Sequence, residues 1–282
     1  MAALETTIIP RPPYSLALSA RLKSDATRVF RDGLLTMVFE ADGPALASVH
    51  QRADGTLAVR LESHSPGEAL DRLRFILAAD DDHVPFLRRF ERDPLLAEPL
   101  RRLRGLRPLR TATVPHALLK AVCGQLIQAK AARLLEARLL RSAGTPLGEL
   151  RLPPTRATFG GHSTAVLARE GLVARKANAL VRISREWDLE RLHGVETVSA
   201  ASRIERERGL GPWSAGMVCL YGLGRFEHGL VGDLGLIKLC SGLLGRRAEA
   251  EDTQALLEPY GEWAGLASVY LLSGGVPAAR AA

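Results

Sequence analysis

The chain has 282 residues, 46% hydrophobic and 24% charged, with a formal net charge of +7. That length suggests two domains with sizeable cores, and no apolar run reaches the ~20 residues that cross a bilayer, so no membrane partner is expected. A basic balance suits a polyanionic partner and equally a solvated surface. The three cysteines, Cys123, Cys219 and Cys240, sit in apolar helical contexts and read as buried thiols of a reducing cytoplasm. Their number and wide spacing exclude a four-cysteine iron–sulfur loop.

The opening ten residues lack the basic start and apolar core of a secretory leader. After Pro10-Arg11-Pro12-Pro13, residues Tyr14, Leu16, Leu18, Ala20 and Leu22 alternate with others, which predicts a strand over 10–22. Leu34–Glu40 is a second strand. Ala45–Gln51 and Thr56–Glu62 form a hairpin around Asp54-Gly55, with Leu57, Val59 and Leu61 on one face. Ser65-Pro66-Gly67-Glu68 has the spacing of a capping box and opens a helix that buries Leu70, Leu73, Ile76 and Leu77. Residues 1–90 therefore read as an α+β unit, an antiparallel sheet with helices, and hold no cluster of catalytic type.

Residues 91–112 read as a helical connector. Arg101, Arg102, Arg104, Arg107 and Arg110 crowd it, just after Asp80, Asp81 and Asp82. Such a run lies near a nucleic acid or simply on a helix surface. From Pro115 onward only helical periods occur, divided into a central lobe, 113–228, and a C-terminal lobe, 229–282. One long helix is predicted from His116 to Ser142, with Leu119, Val122, Leu126 and Ala129 in register. It contains Gly124-Gln125-Leu126-Ile127-Gln128. Further on, Gly171-Leu172-Val173-Ala174-Arg175-Lys176-Ala177 is a turn before a helix that starts basic.

The densest signal is Arg208-Gly209-Leu210-Gly211-Pro212-Trp213-Ser214-Ala215. A polar helix over 197–207, with Val198, Ala201 and Ile204 on one face, precedes it, and an apolar helix over 213–223 follows. Glycine tolerates positive φ, and proline at the first helical position loses no hydrogen bond. The stretch is thus a tight interhelical turn, or a turn whose free N–H groups hold a phosphate at a helix start. About twenty residues later, Val231-Gly232-Asp233-Leu234-Gly235-Leu236-Ile237-Lys238 sets a lone carboxylate before another helix. Asp233 alone reads as an N-cap.

Together the hairpin and Asp233 resemble the helix-hairpin-helix DNA glycosylases, and within them the bacterial 3-methyladenine DNA glycosylase II (AlkA) type. The resemblance extends over nearly the whole chain. It implies a DNA repair enzyme that turns an alkylated, 3-methyladenine-like base out of duplex DNA and hydrolyses its N-glycosidic bond. It implies Asp233 as the catalytic anion beside an oxocarbenium-like sugar. Gly209, Gly211 and Ser214 would hold the DNA backbone, with a monovalent cation at the Gly209 and Gly211 main chain and no other cofactor. Leu126 would wedge the duplex with Gln125 as its polar neighbour, although its place in the helical period also suits a core residue. Arg175 and Lys176 would lie near phosphate or form a solvated helix end.

Some members of the superfamily carry a lysine for a lyase step. The matching position here is Trp213, which implies a monofunctional enzyme. Trp213, Met217, Leu272 and Tyr270 would border the base pocket. Met217 and Leu272 replace aromatic residues of the family, and Ala264-Gly265 follows Trp263 where arginine–serine is usual. These departures keep a glycosylase for a deaminated or bulky base open, as well as a non-catalytic DNA-damage-sensing module. A helical protein–protein adaptor is a further alternative. The expected protein is a monomer, cytoplasmic and associated with the nucleoid.

Overall fold

A computed structural model describes residues 2–21 and 24–274. Strands β1 Ala2–Ile8, β2 Arg28–Arg31, β3 Leu34–Glu40, β4 Pro44–Gln51 and β5 Leu57–Ser63 form one antiparallel sheet in the order β1-β5-β4-β3-β2. Alternation builds its inner face. Leu57, Val59, Leu61 and Ser63 of β5 are buried, and Ala45, Ala47 and Val49 of β4 face the same way. Helix α1, Leu16–Ala20, and helix α2, Pro66–Leu77, cover that face, and Leu16, Leu73, Ile76 and Leu77 enter the core.

Two expectations for this unit change. Residues 10–21 of the strand predicted over 10–22 are instead a turn and helix α1, and Leu22 lies outside the described residues. The backbone of α1 is held by side chains: Ser15 Oγ accepts from Leu18 N at 3.3 Å, and Gln51 Oε1 accepts from Leu16 N at 2.8 Å. The place beside β5 is filled by β1, paired from Ala2 with Ser63 to Ile8 with Leu57. The capping box at Ser65 also does not form. Its hydroxyl donates to Asp42 Oδ2 at 2.7 Å, and α2 opens on Pro66 without a side-chain cap.

Helices α3, Val84–Arg89, and α4, Ala97–Arg102, follow. The central part contains α5 Val114–Gly124, α6 Ala129–Ala143, a short hairpin of β6 Pro146–Leu147 and β7 Leu150–Arg151, then α7 Arg156–Gly160, α8 Thr164–Arg169 and α9 Ala174–Glu186. Helices α10, Thr197–Glu205, and α11, Pro212–Val218, come next, with α11 running on as a π-turn over Cys219–Leu223. The chain closes with α12 Leu234–Leu244, α13 Ala250–Leu257 and α14 Ala264–Gly274. Among the described residues no helix is long and apolar enough to cross a membrane.

The helices bury two further cores. One gathers α5 to α11 around Leu118, Leu139, Phe159, Leu180 and Val218. The other joins α3 and α4 to α12–α14 around Phe86, Leu100, Leu236, Tyr260 and Tyr270. Phe86 and Phe90 thus pack with the C-terminal helices, while Leu109 and Ala112 return to the sheet. The basic run divides accordingly. Arg107 and Arg110 are buried supports: Arg107 Nη2 donates to the Arg11 and Pro13 carbonyls at 2.8 and 2.9 Å, and Arg110 Nη2 meets Asp81 at 2.6 Å. Arg101, Arg102 and Arg104 remain exposed.

Candidate active site

The turn between α10 and α11 is held by Glu207 N bonded to Ile204 O and Leu210 N bonded to Glu207 O. Gly209 sits at φ +94, a conformation that disfavours side chains. The N–H groups of Gly209 and Gly211 stand outside the turn's own hydrogen bonds. Of the expected helix face, Ala201 and Ile204 are buried, but Val198 is 78% exposed, and Ala200 takes its place in the core.

The predicted single helix over 116–142 is two helices. Helix α5 ends at Gly124, and Leu126 lies in left-handed backbone, φ +59, with 76% of its surface exposed. Leucine in that region costs about 1–2 kcal/mol. An exposed, strained leucine draws nothing from a core, so the core reading of Leu126 falls. A β-carbon at Gly124 would stand 2.6 Å from Cη2 of Trp213, and Gln125 leaves the helix at ψ 121. The new loop is bound to the hairpin. Gln125 Nε2 donates to Gly209 O at 2.8 Å and to Ser214 Oγ at 3.0 Å, while Lys176 Nζ donates to Gln125 O at 2.8 Å. Ser214 is buried, and its hydroxyl accepts from Gln125 at the edge of the cleft. Lys176 is likewise buried, and Arg175 alone of that pair borders the cleft.

Asp233 is the N-cap of α12. Its Oδ1 accepts from Gly235 N at 2.8 Å and its Oδ2 from Trp213 Nε1 at 3.0 Å. The half-buried carboxylate opens on a cleft of about 900 Å³, within the usual size of small-molecule sites. Among the described residues no cation pairs with it. The start of α12 favours an anion there. Trp213, Met217 and Leu272 line the same cleft. Tyr270 does not: it is fully buried against Phe86, with its hydroxyl directed to Leu106 O at 3.4 Å. The second aromatic residue of the cleft is Tyr221, which the sequence reading missed. Burial pushes its phenol pKa up, Lys120 opposes that shift and Asp233 adds to it. Trp263 stacks on Phe226 away from the cleft, and Gly265 N donates to Phe226 O at 2.7 Å, fixing the start of α14.

A charged wall of the cleft was also missed. It gathers Asp25 just before β2, Arg28 at the start of β2, Lys120 from α5 and Glu136 from α6, with His116 of α5 fully buried beside Glu136. Lys120 Nζ donates to both Glu136 oxygens, at 2.8 and 2.9 Å, and His116 Nε2 lies 2.9 Å from Oε1. Arg28 Nε meets Asp25 Oδ2 at 3.3 Å, and Arg28 Nη1 donates to Arg110 O. Burial opposes the Lys120 charge, yet Glu136 and Asp25 outweigh it and hold the ammonium above its usual range. The only sequence hint was His116 and Lys120 four apart, polar on an apolar helix.

Ligating atoms of Asp25, His116 and Glu136 come within 4.8 Å of one another. Arg28 and Lys120 already neutralise these carboxylates, so the donor set does not suit a metal. In the hairpin, Gly209 O accepts from Gln125 and Gly211 O from Ala215 N at 3.0 Å, and each carbonyl keeps a second lone pair that a monovalent cation could use.

No protein-family model matches the chain. A DNA-3-methyladenine glycosylase of Bacillus subtilis is 26% identical over 204 residues, 68% of this chain and 67% of that protein. A 3-methyladenine DNA glycosylase from Archaeoglobus fulgidus superposes with a TM-score of 0.81 at 22% identity, over 96% of this chain and 97% of its own. An 8-oxoguanine glycosylase/lyase of Clostridium acetobutylicum, bound to double-stranded DNA with cytosine opposite 8-oxoguanine, reaches 0.76 at 16% identity, over 93% and 91%. The chain is thus similar in sequence to a DNA-3-methyladenine glycosylase and shares the fold of these DNA glycosylases, with the 206–211 hairpin beside Asp233.

Proposed function

We propose that the protein is a monofunctional DNA glycosylase that removes alkylated, 3-methyladenine-like bases from duplex DNA. One observation carries the reading: the Asp233 carboxylate faces a nucleoside-sized cleft, fixed by two N–H donors and paired with no cation among the described residues. As the C1′–N bond breaks, its electron pair leaves with the base and the sugar becomes cationic. Asp233 stabilises that cation and orients a water, whose oxygen bonds to C1′. A methylated base that starts cationic departs neutral, and the water's spare proton passes through Asp233 to solvent. Trp213 lines the cleft, and an aromatic ring attracts such a cation.

In this reading the Gly209 and Gly211 amides hold a phosphate, and Leu126 enters the base stack that the extruded nucleotide leaves. The four segments 1–90, 91–112, 113–228 and 229–282 would act as sheet unit, connector and two lobes around the cleft. Trp213 stands where lyases of the superfamily have their lysine. Lys120, the one lysine among the described cleft residues, is clamped as an ammonium and lacks the free pair that a Schiff base needs. Similarity to the Bacillus and Archaeoglobus proteins supports the alkylated substrate. The test is Asp233→Asn on a duplex with 7-methylguanine. Loss of base release with DNA binding retained is expected, and undiminished release refutes the assignment.

A further inference from the structure

We infer that Lys120 is a base-reading residue: its ammonium donates a hydrogen bond to the carbonyl oxygen of an extruded purine and so sets how the cleft ranks neutral oxopurines against methylated cations. This rests on the glycosylase reading and names a residue that sets its preference. An ammonium has three N–H donors. Two are bonded to Glu136, and the third has no partner among the described residues. The Lys120 side chain is 21% exposed, and the residue lines the cleft. Glu136 is itself 3% exposed and bonded to fully buried His116. The neighbouring Arg28–Asp25 pair is equally buried. Each pair is neutral as a whole. What the wall offers a base is therefore a directed N–H, more than net charge.

The chemistry separates two kinds of base. A neutral oxopurine leaves with an extra electron pair that spreads onto its ring nitrogens and carbonyl oxygen. A donor held against that edge is stronger in the transition state than in the ground state. A methylated cation departs neutral and draws far less from it. Lys120 keeps its proton throughout: the water's oxygen bonds to C1′, and one water proton ends on the departing base.

Single-turnover release of hypoxanthine and of 7-methylguanine from otherwise identical duplexes tests this in the wild-type protein, Lys120→Met and Lys120→Arg. Lys120→Met should lower the hypoxanthine to 7-methylguanine rate ratio roughly ten- to a hundredfold, as loss of a charge-assisted hydrogen bond does. Lys120→Arg, which keeps a donor, should restore part of the ratio. An unchanged ratio in Lys120→Met overturns the inference. So does a wild-type protein that releases 7-methylguanine but not hypoxanthine, and the glycosylase reading then stands. Release of neither base overturns both. Should Lys120→Met fail to fold, wild-type binding decides, using duplexes with uncleavable 2′-fluoro-deoxyinosine or 2′-fluoro-deoxyadenosine at the target position. Tighter binding of the deoxyinosine duplex supports the inference, and equal binding overturns it.

Discussion

Asp233 and Glu136 are two carboxylates that border one cleft, and their surroundings leave them in opposite electrostatic settings. Asp233 caps α12, accepts from two neutral N–H donors and remains half-buried. Glu136 is 3% exposed, and Lys120 and His116 consume its charge. A carboxylate already paired has little field left for a transient cation, whereas one held only by neutral donors keeps it. The contrast extends to the walls around them. Asp233 stands among Trp213, Met217 and Leu272, while Glu136 stands among Asp25, Arg28 and Lys120.

Substituting each acid breaks the comparison most directly. Asn can still cap a helix, so Asp233→Asn should lower base release by roughly 10²–10³-fold while thermal stability and DNA affinity hold, measured by single-turnover kinetics, melting and gel shift. Glu136→Gln leaves Lys120 without its counter-charge. It should cost about 3–5 kcal/mol of folding stability, read by urea unfolding. An exchange of these two outcomes would reverse the assigned roles.

Trp213→Phe keeps a ring but removes the Nε1 donor to Asp233, and should slow release roughly ten- to a hundredfold. Gly124→Ala reaches the same contact from behind, since its β-carbon would press on Trp213. A shifted indole fluorescence together with a slower rate would report the displaced ring.

Leu126→Gly should move two readouts in opposite directions. Relief of left-handed strain raises stability by about 1 kcal/mol, seen as a higher Tm. Loss of the side chain weakens base extrusion, seen by 2-aminopurine fluorescence in a bound duplex. If extrusion is unaffected, the wedge assignment fails.

The smallest effect is in acid. Burial alone would raise the pKa values of Asp25 and Glu136, but Arg28 beside the first and Lys120 beside the second outweigh it and hold both below the usual range. Groups depressed in the folded state contribute stability above their unfolded values of about 3.9 and 4.3. That contribution is lost as pH falls through the folded values. The Glu136→Gln protein should therefore show a shallower loss of stability below about pH 4, measured by unfolding at a series of pH values.

Local chemistry was enough for much of this molecule. Strand alternation in Leu34–Glu40 and Leu57–Ser63, the Asp54-Gly55 turn, the paired glycines before Pro212 and the capping position of Asp233 all act within a few residues, so the order of amino acids reveals them. Longer-range competition settled the rest. The alternation in 10–22 lost its place in the sheet to β1, whose partner β5 lies about fifty residues away. The apolar period through Leu126 was interrupted where Gln125 bonds to Gly209, Ser214 and Lys176 from distant segments of the chain. Tyr270 left the cleft for a core that Phe86 completes. The wall of Asp25, Arg28, His116, Lys120 and Glu136 comes from three separate stretches of chain. No single stretch carries its pattern, because its members are stabilised by one another's charges only after the backbone has brought them within bonding distance.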